Sequence, residues 1–395
     1  MWRLAAIGLA VALAGGCRTP EPLPVLAPPP PVLPPAEFPV VPAASLEPDL
    51  QSLPAFAPLL AVPPTAERRG VSEADVTRQA AARAPLATSL LHENRVPHTD
   101  CPPADGLLKQ VRAHLAEEAR NRAAGAARDE FFQLADADGR ADVVRESVGV
   151  LDELRVTVRD GRAKGLRVVL DSDDLDRQRA GLVALLTQAD LGAGLLDGEL
   201  KRRTGVAFST PERLRPVGPF PPVAAGPTDV PAAVRVALEK RPDLHALRAV
   251  YLGLTPDTLE VAREVVRNPA GLLTLNIPRP LTTRRPQPIP AVVCAEVEVR
   301  RQQLADLITD RERQAADQVR AACLTLDAQT AQVGLAKWRA EGLVKKAAEA
   351  AKDGPLVQLP ARLEALRARA DVVAAVMGHH QARAKLLAAQ GLAAE

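Results

Sequence analysis

Adjacent His379 and His380 are the most chemically suggestive pair in this 395-residue chain. Imidazoles ligate zinc, but such sites draw further ligands from cysteine or carboxylate at helical or turn spacing. None stands at a usable distance here, so metal is not expected. On a helix His380 falls in an apolar seam while His379 beside it faces elsewhere, and the pair reads as structural. Asp136, Asp138 and Asp142 in DADGRAD superficially follow the alternation of a calcium loop, yet the glycine is misplaced and the closing glutamate is missing. Asp171, Asp173, Asp174 and Asp176 read first as helix-cap and surface residues. Nothing assembles a nucleophile with a base, so the chain reads as no enzyme and needs no cofactor.

The elements that would carry these residues are long helices. Apolar or small side chains recur at Leu304, Ile308, Ala315, Val319, Ala322, Leu326, Val333, Ala336, Ala340, Leu343 and Ala347, in steps of three, four or seven. Between Val299 and Lys352 no proline interrupts the pattern, and at 1.5 Å per residue such a helix runs roughly 75 to 80 Å. A helix that long needs partners along its whole length. Aromatic residues make up 2% of the chain and the net charge is +2. Acids and bases interleave without a stacking platform, which gives no case for nucleic acid.

Before residue 65 the character differs. MWRLAAIGLAVALAGGC has one arginine, a short apolar run and small residues before Cys17, the pattern of a secretory signal over residues 1–17. LAGGC resembles a bacterial lipoprotein cleavage site, which would put lipid on Cys17. Residues 18–64 are rich in proline, including Pro28 to Pro31. That composition forms neither helix nor sheet and reads as a disordered linker or extended spacer. Past the signal, no segment appears apolar and uncharged enough to cross a membrane as a helix.

From there the sequence repeats itself. Val71 to Leu91 is echoed by Val230 to Val250, each an alanine-rich helix with a central proline, Pro85 or Pro242. Each is followed by a spacer and a long helix, Asp105 to Lys164 and Val299 to Lys352. These end near Gly165 and Gly354, which suit helix C-termini. Each then returns along a second helix, with seams Leu175, Gln178, Leu182, Leu185, Ala189, Gly192, Leu196, Leu200 and Leu363, Leu366, Ala370, Val373, Met377, His380, Ala384, Leu387. Ser172 with Asp173 and Asp174 would cap the first return helix, and Pro360 would open the second. The fold class is thus mainly α: two tandem helical hairpins, residues 71–205 and 230–391. A buried CH₂ contributes about 0.8 kcal/mol, so alanine-filled seams give one chain a thin core. Several chains side by side would bury more.

The tandem repeat, Arg241, Pro242, Asp243 and Leu244, the VRAACLTL pattern at Val319 to Leu326 and the glycine-tipped hairpins resemble the TolC-like outer-membrane efflux proteins, across about residues 71–391. The resemblance implies a homotrimer whose helices form a periplasmic tube continued by a β-barrel. It would be a passive outer-membrane conduit for substrate from an inner-membrane pump and a periplasmic adaptor, in efflux or type I secretion. It also implies adaptor contacts at Gly165, Leu166, Gly354 and Leu356, and an acidic ring at the tube entrance from Asp171, Asp173 and Asp174. Cys101 and Cys294 fall where the family places its strands, and a disulfide would tie the two ends together. The chain departs from the family there. A membrane strand needs about 9 to 11 residues; LLHENRVPHTDCPPAD is too short and polar for a pair, and GLLTLNIPRP at Gly271 to Pro280 offers one strand before a proline-rich run. The expectation is therefore little or no barrel, on the periplasmic side of the outer membrane with a lipid anchor. The rival reading is a lipid-anchored coiled-coil scaffold that binds the adaptor and conducts nothing.

Overall fold

The computed structural model describes residues 68–95, 101–165, 167–207, 212–218, 220–223, 226–267 and 290–394. The signal, Cys17, the proline-rich segment, Leu166 and Gly271 to Pro280 lie outside these. The described chain is overwhelmingly helical. Strand β1 (Arg68–Val71) leads into α1 (Glu73–Ala82), α2 (Pro85–Glu93), α3 (Pro102–Ala163) and α4 (Ser172–Thr204). Strand β2 (Arg213–Pro216) leads into α5 (Val230–Lys240), α6 (Pro242–Leu252), α7 (Leu259–Arg267), α8 (Pro290–Ala350) and α9 (Pro355–Gln390).

The four long helices pack side by side in the order α4, α3, α9, α8. One hairpin is α3 with α4, the other α8 with α9, and the α3–α9 contact joins them. Three apolar clusters follow one another along this layer. One gathers Leu107, Val111 and Leu115 with Leu247, Val261 and Leu304 near the start of α3. A central one contains Phe131, Phe132, Val372 and Met377. The third, near the hairpin turns, holds Leu151, Leu154, Leu175, Leu359 and Leu363. At Gly139 of α3, a Cβ would stand 2.8 Å from Val373 Cγ1 of α9, so the missing side chain is what lets the two helices approach this closely.

Several local expectations change. Pro85 and Pro242 do not sit inside one helix each; each stands in the first turn of a new helix, because proline has no N–H to donate and suits that position. The pairs α1–α2 and α5–α6 are therefore elbows. Asp171, not Ser172, caps α4, its Oδ1 accepting from Asp173 N at 3.2 Å. Helix α9 begins at Pro355, so Pro360 lies inside it. The seam of α4 is also rotated: Leu185 is 53% exposed, while Ala193, Asp197, Lys201 and Thr204 turn inward. Finally, α4 does have the length and composition to cross a bilayer, with a mean hydropathy of 1.2 over its most apolar stretch. In the fold it lies along α3.

The sequence reading missed the parallel pairing of β1 with β2, Arg68 opposite Arg213 and Val71 opposite Pro216. It clips the chain entering α1 to the segment between the halves. Asp197 of α4 accepts from Leu214 N at 2.8 Å, Lys201 Nζ donates to Glu212 O at 2.9 Å, and Arg215 pairs with Asp142 of α3 at 2.6 Å. Among the described residues this four-residue pair is the only sheet.

Arg241 to Leu244 form the α5–α6 elbow. The Arg241 guanidinium donates to both Asp243 oxygens, at 3.0 and 2.8 Å, and to Gln318 Oε1 of α8 at 2.7 Å. The end of α9 rests on this elbow. Gly391 adopts φ +81°, and a Cβ there would lie 3.0 Å from Arg241 Cα, so both the left-handed backbone and the close approach require glycine. Asn121 of α3 completes the closure, donating to Ala388 O at 3.2 Å and accepting from Ala393 N at 2.7 Å. Burial alone would push the Asp243 carboxyl up, but its hydrogen bonds from Arg241 override this and hold it below its usual range. Glu118 moves the opposite way, raised by burial and by the neighbouring Asp243 charge. Removing one member of a buried ion pair strands the other, which costs about 3 kcal/mol. Asp243→Asn is therefore expected to lower the denaturant midpoint of unfolding by a corresponding amount, and an unchanged midpoint would contradict this account of the elbow.

Candidate functional site: hairpin turns and open helix edges

The acidic groups singled out by sequence are engaged locally. Asp136 pairs with Arg140 at 2.8 Å, Asp142 with Arg145 and Arg215, and Asp138 is fully buried beside Arg68 at 3.5 Å. Burial pushes the Asp138 carboxyl up, while Arg68 pulls it down. Asp138 and Asp142, one turn apart, share the positive charges of Arg68 and Arg215, and no group of acids is arranged to hold a metal among the described residues. At the start of α4, Asp171 caps the helix and Asp174 pairs with Arg177 at 2.5 Å. Asp176 pairs with Arg155 of α3. Each acid in this run that has a described bond spends it on capping or on an arginine.

The histidines differ from expectation in one respect. His379 does not face away from the core: it is 2% exposed, its Nδ1 3.1 Å from Thr330 Oγ1 of α8. His380 is buried as expected, stacked on Phe132. Of the two cysteines expected to pair, Cys294 is a free thiol. Cys101 occupies the N-cap of α3 with Sγ 3.6 Å from Asp257 O. Cys294 is exposed on α8 itself, not in a loop, because α8 starts nine residues earlier than the heptad pattern indicated.

At the hairpin turns, Gly165 is exposed with φ +74° and Gly354 has φ +94°. Arg162 pins the first turn by donating to Ser172 Oγ and Leu170 O, both at 2.7 Å. Leu356 is partly buried against Leu359 and Leu363, so it covers the hairpin end. The apolar side chains most open to solvent near the turns are Val169, 95% exposed, and Val357.

The larger feature is one that sequence reading did not isolate. Helices α4 and α8 bound the layer, and each carries apolar side chains with no neighbour to cover them. On α4 these are Leu185, Leu191 and Leu195; on α8 they are Leu324, Leu335 and Trp338. Trp338, one of two tryptophans in the chain, is 76% exposed. Counting about 1.5 Å per residue from the helix ends nearest the turns, Ser172 and Ala350, Leu185 and Trp338 stand roughly 20 and 18 Å up, and Leu191 and Leu335 roughly 28 and 22 Å. The two edges thus expose apolar side chains over the same stretch of the layer. Leu185 belongs to the seam read from the sequence, whereas Leu191, Leu195, Leu324, Leu335 and Trp338 lie outside the seams of their helices.

Comparison with known proteins places this geometry. No protein-family profile matches the chain, and none of the curated proteins does. Among solved structures, the Campylobacter jejuni CmeC outer-membrane channel superposes with a TM-score of 0.51 at 14% identity, over 73% of this chain and 66% of that one. CusC, described as forming a transmembrane channel, superposes with a TM-score of 0.51 at 12% identity, over 81% of this chain and 95% of that one. At such identities the likeness speaks to fold: the chain has the fold of the TolC-like outer-membrane channel proteins.

Proposed function

We propose that the chain is the outer-membrane channel component of a tripartite efflux or type I secretion assembly, a passive conduit for substrate handed over by a periplasmic adaptor and an inner-membrane pump. The observation that carries this reading is the open-edged helical layer. Apolar side chains exposed on a single helix edge are ordinary, but two long bounding edges that both expose them mark surfaces for partners. A second copy fits both edges at once, since α8 of one chain can meet α4 of the next. Head-to-tail contacts of that kind close into rings, and a ring of curved layers encloses a duct. By analogy of fold the ring is a homotrimer, with the turns at Gly165 and Gly354, flanked by exposed Val169 and Val357, as the adaptor-facing end. Cys17 would carry the lipid that anchors the assembly to the outer membrane.

One observation favours the second reading, a lipid-anchored scaffold without a conducting barrel. Between α2, ending at Glu93, and α3, starting at Pro102, the chain is too short for a pair of membrane strands of about 9 to 11 residues each. Planar-bilayer recording separates the two. The conduit reading expects trimers by sedimentation and discrete conductance steps from purified full-length protein. Trimers without conductance would select the scaffold.

Two variants probe the parts. Leu335→Glu combined with Trp338→Glu places two charges in the α8 edge and is expected to shift the sedimenting species to monomer with helical circular dichroism unchanged; a persistent trimer would remove α8 from the interface. Cys17→Ser is expected to abolish incorporation of a labelled fatty-acid precursor, and continued labelling would refute the anchor.

A further inference from the structure

Three of the six phenylalanines in the chain meet both adjacent histidines at one point. Phe131 and Phe132 come from α3, Phe220 from the segment between the halves, and His379 and His380 from α9. The His380 ring stacks on Phe132 with centroids 5.1 Å apart and planes 17° apart, lies 5.8 Å from Phe220, and meets the edge of His379 at 5.4 Å. It is 1% exposed, and among the described residues neither of its nitrogens has a hydrogen-bond partner. A buried polar group left unbonded is costly and uncommon. This one sits where the two hairpins and the connecting segment are joined.

We propose that this aromatic box is an acid-released latch, in which protonation of His380 frees α9 from α3 and from the segment carrying Phe220. The neutral ring stacks as a phenyl group would. An imidazolium in the same place would be a buried cation with no acceptor. The surrounding charges offer it no help. On α9 the nearest are His379 and Arg383, both of which oppose a further positive charge. On α3, Arg128, which feels Arg383, is held by Glu73 of α1 at 2.8 Å, and Asp129 accepts from Gln133 at 2.7 Å. Helix α8 contributes the uncharged Thr330 to His379, and its Asp327 is occupied by the N–H and hydroxyl of Thr228. The connecting segment contributes Phe220, and Arg215 of β2 before it is tied to Asp142.

Burial, with His379 and Arg383 adding to it, lowers the His380 pKa from 6.5 to about 3. The latched state therefore stays neutral where a hydrated ring binds a proton. Latching is fully favoured above the ordinary imidazole pKa and weakens progressively as pH falls from there toward about 3. One proton is taken up per opening event, so the opening equilibrium rises about tenfold for each pH unit in that window.

Hydrogen exchange of the full chain, followed by mass spectrometry across pH 7.5 to 5 and corrected for intrinsic exchange, reads this directly. In the wild type, amides of α9 around His380 and of α3 around Phe132 are expected to open about tenfold more per pH unit below about 6.5. His380→Phe keeps the stacking and removes the proton, and is expected to flatten that dependence, while His379→Gln leaves it in place. A flat wild-type profile, or an unchanged slope in His380→Phe, would overturn the proposal. Should His380→Phe fail to fold, NMR titration of the wild-type imidazole decides: a ring still neutral at pH 5 supports the latch, and a midpoint above 6 overturns it.

Discussion

A helix of about 60 residues cannot be stabilised at its ends. Its stability comes from continuous lateral packing, because propagation along a single chain in water gains too little per residue. This chain meets that demand by sandwiching α9 between α3 and α8, and α3 between α9 and α4. The α3–α9 contact carries the whole arrangement. It joins the two hairpins, permits the close approach at Gly139, and houses the buried pair of Arg369 with Glu146 at 2.9 Å. The inner helices are satisfied within one chain. The outer ones are covered beyond the layer only in part, α8 by α5, α6 and α7 and α4 by α1 and β2.

The smaller elements serve that layer. The Arg241–Asp243 elbow receives the end of α9, and the β1–β2 clip fastens the entering chain to α3 and α4 through Asp138, Asp142 and Asp197. Charge is used differently in the two hairpins. Between α3 and α4, Arg145, Arg155 and Arg179 bridge to Asp190, Asp176 and Asp152, whereas α8 and α9 meet along alanine, valine and leucine with two longer, exposed bridges, Arg339 to Asp371 at 3.6 Å and Lys346 to Glu364 at 3.4 Å. The first hairpin is thus held more by ion pairs at a partly solvated seam, and the second more by apolar packing.

Much of this was legible in the sequence. Long heptad runs and glycine at turns each have one dominant physical reading, so the hairpins and their order emerged from spacing, and the motifs at Arg241 to Leu244 and Val319 to Leu326 carried the family resemblance; the prolines were misread, Pro85 and Pro242 as interior and Pro360 as initial. What stayed hidden depended on contacts distant in sequence. Arg68 and Arg213 carry no local sign of pairing, and a four-residue strand is too short for alternation to register. His379 was misplaced because a single seam was assigned to α9, which is packed on more than one side. The seam of α4 was misjudged for the opposite reason: an apolar helix with two apolar faces offers no unique inward direction.

The central claim is that α4 of one copy lies against α8 of the next. Disulfide cross-linking of a Leu191→Cys, Leu335→Cys variant, made with the native cysteines after Cys17 replaced by serine, tests it most directly. The account predicts a non-reducing ladder that ends at the trimer, formed only when both substitutions are present. Cross-linking confined within single chains, or none at all, would contradict it.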